Sequence, residues 1–74
     1  MEPIKVLVQF EKNKVKPLAF RRNGRLYKIK EVNLVNHFLE GDHRIFNFHV
    51  SDEANAYTLR FETNNLEWFI EEWK

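Results

Sequence analysis

Three histidines are the first residues to weigh for chemistry. His37, His43 and His49 recur every six positions, with Asp42 beside the second. Zinc or iron needs three or four side chains converging on one point. A spacing of six sets no two of these imidazoles one helical turn apart, and there is no cysteine to complete a set. The expectation is three solvated histidines, no metal and no other cofactor. Carboxylates form the second group: Asp52-Glu53, and Glu67 with Glu71-Glu72. Acid–base catalysis needs burial or a like charge nearby to shift a carboxyl pKa. These acids sit in a polar stretch and near the end of the sequence, where solvent keeps them ordinary. Ser51 is the only serine, with acids rather than a base beside it, and two glycines, Gly24 and Gly41, make no phosphate-binding loop. The chain is therefore read as no enzyme, with no small-molecule substrate expected.

Binding is the remaining class, and charge is its clearest signal. Residues 1–30 hold nine basic side chains and two acids; residues 31–74 hold three and nine. Two oppositely charged halves pairing across one sheet explain this asymmetry. So does a basic face for a polyanion. Arg21, Arg22, Arg25, Lys28 and Lys30 are the candidate nucleic-acid contacts, which Lys12, Lys14 and Lys16 extend. Single-stranded nucleic acid also wants aromatic platforms, and none is interleaved with these cations.

Elements must position these groups. Ile4, Val6, Val8 and Phe10 alternate, which marks a half-buried strand, and Glu11–Lys14 reads as a turn. Asn23-Gly24 is the preferred pair for a two-residue type I′ hairpin. That turn sets Arg22 against Arg25, Arg21 against Leu26, Phe20 against Tyr27, Ala19 against Lys28, Leu18 against Ile29 and Pro17 against Lys30. Leu18, Phe20, Tyr27 and Ile29 then share the apolar face, and Arg21, Lys28 and Lys30 the other. Pro17, with no N–H, belongs at a strand start or edge. Alternation breaks past Lys30; a bulge near Glu31 accounts for the break, and residues 32–40 fit either a strand or a short helical turn. Phe46, Phe48 and Val50 alternate, as do Tyr57, Leu59 and Phe61. A two-residue loop at Asn64-Asn65 pairs Phe61 with Trp68 and Leu59 with Ile70. Residues 66–73 fit both a strand, the preferred reading, and a capped helix. As a strand they turn Phe69 and Trp73 outward, a candidate protein-interaction patch.

The fold expectation is a mostly β, antiparallel meander of about five strands, with at most one short helix. It forms an open, twisted sheet or a small, partly closed barrel. Seventy-four residues allow one domain, 1–74, with one core. That core takes Ile4, Val6, Val8, Leu18, Phe20, Tyr27, Ile29, Phe46, Phe48, Tyr57, Leu59, Phe61, Trp68 and Ile70. A core this small is marginal, and without cysteine no disulfide supports it. Aromatic residues, 15% of the chain, offset this with large buried areas. Met1–Phe10 carries no secretory leader pattern, and no apolar run is long enough to span a membrane. A cytoplasmic protein without membrane attachment is expected.

The segment from Phe20 to Trp73 resembles a loosely defined group of small bacterial domains of unknown function. Some of these accompany translesion-polymerase-like proteins. The resemblance is carried by Phe20, Gly24-Arg25-Leu26-Tyr27-Lys28-Ile29, Val32, Phe38, Tyr57-Thr58-Leu59 and Trp68-Phe69-Ile70. It departs where the group has Trp and this chain has Phe38, and Ile4–Phe10 has no counterpart. It implies a β meander and a link to DNA metabolism, and assigns no site residue. The functional expectation is a small interaction module with a protein partner or a second copy as a homodimer. The alternative is a nucleic-acid-binding module using the 16–30 hairpin.

Overall fold

The computed structural model describes the backbone of residues 1–72 and the side chains of residues 1–71. Seven antiparallel strands form one sheet: β1 (Glu2–Glu11), β2 (Lys14–Arg22), β3 (Arg25–Lys28), β4 (Glu31–Glu40), β5 (His43–Ser51), β6 (Ala56–Glu62) and β7 (Glu67–Glu72). Their spatial order is β3-β2-β1-β7-β6-β5-β4. The expected class is correct, and the expected count of about five strands is not. Of the two ambiguous segments, 32–40 lies in β4 and 67–72 forms β7, and among the described residues there is no helix. β7 is bonded on both sides, by β6 and β1, and β4 on one side, by β5, so ladder hydrogen bonds take up backbone groups of both segments.

The turns set the ladders. Asn23 and Gly24 have φ of 52° and 75°, the two positive values a type I′ turn needs. The pairs Arg22–Arg25 through Ala19–Lys28 form in the expected register. Asn13, φ 75°, turns β1 into β2. The β6–β7 register is also as expected, with Leu59 opposite Ile70 and Phe61 opposite Trp68. The connection, however, is a four-residue turn over 63–66 rather than two residues, and Leu66 takes the left-handed φ of 59°. Thr63 anchors this turn, its Oγ1 donating to the Arg44 carbonyl at 2.8 Å.

One face of the sheet carries the core: Phe20, Phe48, Val50, Tyr57, Leu59, Phe61, Trp68 and Ile70. Ile4, Val6, Val8, Val15, Tyr27, Ile29, Val32 and Phe46 pack around them. Aromatic contacts run through this layer, with Phe20 stacked on Tyr27 at 5.0 Å and Phe61 on Trp68 at 4.6 Å. Two expectations need correction. Leu18 is only half-buried, because it is the extra residue of a bulge: Leu7 faces Ala19 while Val8 faces Pro17. Pro17 takes the fully buried place instead. The second bulge lies at Asn33 rather than Glu31, since Val32 faces Val50 and Leu34 faces His49. Bulges bend a strand and increase its twist, and these two help curl the sheet into a half-barrel.

Candidate functional site

The sheet's two edge strands, β3 and β4, are consecutive parts of one run of chain. The handover lies at Ile29-Lys30. The Ile29 N–H donates to the Leu18 carbonyl on β2 at 3.0 Å. The Lys30 N–H donates to the Ser51 carbonyl on β5 at 2.9 Å. Successive N–H groups of an extended chain point to opposite edges, so this run is held by β2 first and by β5 afterwards. The expected pairing of Pro17 with Lys30 is therefore absent, because Lys30 has already turned to β5. One point of the half-barrel is pinned shut, and beyond it β2 and β4 diverge.

The divergence leaves a cleft of about 490 Å³, within the range of roughly 300–1,000 Å³ usual for binding sites. Asn13, Lys14, Val15 and Lys16 border it from the β1–β2 hairpin. Val32 and Val35 come from β4, and Phe46 and Phe48 from β5. Its floor is the open end of the core and its rim is basic. Pro17 fits beside the cleft, because β2 has no partner on that side and a missing N–H costs nothing there.

Along the cleft runs β4, ten residues long and, among the described residues, with β5 as its one neighbour. The bulge at Asn33 sets apolar residues on both of its faces. Leu34, in line with His49, and Phe38, in line with Ile45, lie on the outer face. Val35, in line with Phe48, and Leu39 lie on the core face. Their exposures are 56%, 40%, 45% and 63%. Arg60 supports the outer face from below: it reaches Glu40 and Glu62, each at 3.0 Å, and lies 5.9 Å from the Phe38 ring centre. The bond to Glu40 above all, and that to Glu62, raise the Arg60 pKa above its ordinary value.

The five candidate nucleic-acid residues fall in three places. Arg21 and Lys28 are exposed on the outer face, and Lys5 faces Arg21 across the ladder. Arg22 and Arg25 share the opposite parity: Arg22 holds Glu2 at 2.9 Å, and Arg25 lies 5.5 Å over Tyr27. Lys30, at the corner, pairs with Glu53 at 3.3 Å, an ion pair linking the basic and acidic halves. Of the candidate protein-interaction pair, Phe69 is half-buried on the outer face, in line with Arg60. Trp73 lies outside the described residues.

The histidines and carboxylates are scattered. His37 accepts from Arg44 Nη1 at 2.7 Å, His43 lies 3.6 Å from Asp42, and His49 meets the Thr58 hydroxyl at 3.1 Å. Among the described residues no three His, Asp or Glu side chains gather around a metal position. Asp52 organises its own turn. Its Oδ1 accepts from the Ala54 and Asn55 amides at 2.8 and 2.7 Å, which lowers its pKa. Burial, and then the charge of Asp52, raise the pKa of Tyr57.

Sequence reasoning left 32–40 open between a strand and a helical turn and did not anticipate the cleft. The signal was present in Leu34, Val35, Phe38 and Leu39: apolar residues that fit no single strand face. Comparison with family models, curated proteins and solved structures returns no match to this chain.

Proposed function

We propose that this chain is a protein-interaction module whose docking strand is β4. One observation carries the reading. β4 is long, apolar on both faces and open along one edge. Exposed edges of this kind recruit another strand, and proteins usually blunt them with charge, proline or brevity. The other edge follows that rule: β3 has four residues and presents Arg25 and Lys28. In β4 the acids stand only at the ends, as Glu31 and Glu40. Strand addition satisfies the open backbone groups, and pockets for alternate side chains give selectivity.

The test is selection from a display library of random extended peptides, followed by mapping of the winners by amide chemical shift. Shifts concentrated in residues 31–40 support the reading. Winners that map to the outer face around Arg21 and Lys28, or no winners from a monomeric chain, refute it. A second copy is one such protein partner, and sedimentation over a range of concentrations detects it.

Nucleic acid is the second reading. Lys5, Arg21 and Lys28 occupy adjoining outer-face positions and support it. Leu7 and Leu26 share that face, and Phe69, opposite Pro3, is half-buried there rather than an open platform, which weakens it. Binding to single-stranded DNA that falls steeply with salt, and vanishes in Lys5→Glu/Arg21→Glu/Lys28→Glu, would establish it.

A further inference from the structure

We infer that the cleft between β2 and β4 takes an extended peptide in which apolar side chains alternate with carboxylates, laid antiparallel along β4. The inference rests on the reading of β4 as the docking strand and names the chemistry of its occupant.

Direction follows from topology. β3 is antiparallel to β2, and β4 continues β3. A strand antiparallel to β4 therefore runs parallel to β2. It bonds β4 through its main chain and meets β2 through its side chains. The pin at Ile29 closes the cleft at one end, so the added strand occupies the Leu34–Glu40 stretch. Apolar chemistry follows from the floor of Val15, Val32, Val35, Phe46 and Phe48. Side chains of the peptide that point inward continue the row of Val35 and Leu39 and cover that floor.

Charge decides the remaining positions. Lys14 and Lys16 border the cleft, and no acid does. Lys16 faces the uncharged Gln9 across the hairpin, while Lys14 faces Glu11. Lys12 adds a third cation at the turn. A carboxylate on the peptide gains from this rim and a cation loses. An alkyl carboxylate shares the apolar and anionic chemistry but has no main chain for the β4 edge. That edge favours the peptide.

The test uses the full chain and three probes: a short capped peptide alternating glutamate and valine, its lysine–valine counterpart, and dodecanoate. Amide shifts and hydrogen exchange report the site. The glutamate–valine peptide should slow exchange along 34–40 and shift Val15, Phe46 and Phe48. Lys14→Glu/Lys16→Glu, with its fold checked by circular dichroism, should weaken that peptide by about tenfold. The lysine–valine peptide should bind about tenfold more weakly to the unaltered chain, by the same charge argument. Equal binding of the two peptides overturns the inference. So does dodecanoate that fills the cleft and is not displaced by the peptide. So does a dimer that already protects 34–40 without a probe. Protection of β4 with no response at Val15, Phe46 or Phe48 sinks the inference and leaves the docking strand standing. No effect of either peptide at millimolar concentration sinks both.

Discussion

Two leucines on the core side of the sheet should respond very unequally to the same truncation. Leu59 has 0% exposure and lies between Phe48 and Ile70 in the ladder. Its change to alanine removes buried carbon atoms and leaves a cavity that the strands around it close only in part. Such truncations cost about 3–5 kcal/mol. A domain of 74 residues has about 4–11 kcal/mol in total, at roughly 0.05–0.15 per residue. Leu59→Ala should therefore remove from about a quarter to all of the stability. Leu39 has the same chemistry and is 63% exposed at the open edge. Leu39→Ala should cost under about 0.5 kcal/mol. The assay is urea unfolding followed by tryptophan fluorescence, since Trp68 is buried in the core. The midpoint is compared at constant slope. A loss above about 2 kcal/mol for Leu39→Ala would refute the reasoning. It would mean that the β4 edge is already covered, and for a chain that sediments as a monomer the docking proposal would lose its free strand.

Three further outcomes follow from the geometry. Gly24 has φ +75° and nothing within 4 Å of an added Cβ, so Gly24→Ala should cost about 1–2 kcal/mol by backbone strain alone; an unchanged urea midpoint would contradict the turn. Arg60→Met strands Glu40 and Glu62 and should cost about 1–2 kcal/mol, partly recovered in high salt; a neutral result at low salt would show that the pair contributes nothing. Asp52 has a folded pKa below its ordinary 3.8, so its ionised form is favoured by folding. Its contribution is complete above the ordinary carboxylate range and is lost as pH falls through the folded pKa. Asp52→Asn should flatten that acid limb in unfolding measured against pH, and an identical limb in the variant would sink the assignment.

What the sequence determined by itself is local. Asn23-Gly24 fixed a register, and strict alternation in residues 44–50 and 56–62 fixed which side chains face inward. Both depend on backbone conformations within a few residues of one another, and the tertiary structure kept them while also burying Ile45 and Thr58 on the opposite face. Which edges stay free was decided only by the whole sheet. Ile29-Lys30 looks like the end of a hairpin strand, yet there the chain exchanges one neighbour for another. Bulges at Leu18 and Asn33 shift the side-chain parity by one residue; broken alternation past Lys30 signals the second but not its position, because the unpaired residue is chosen by partners distant in sequence. Arg22 takes the parity of Phe20 from the hairpin register itself, but Lys14 and Lys16 became the rim of a cleft only through curvature, which is a property of seven strands acting together.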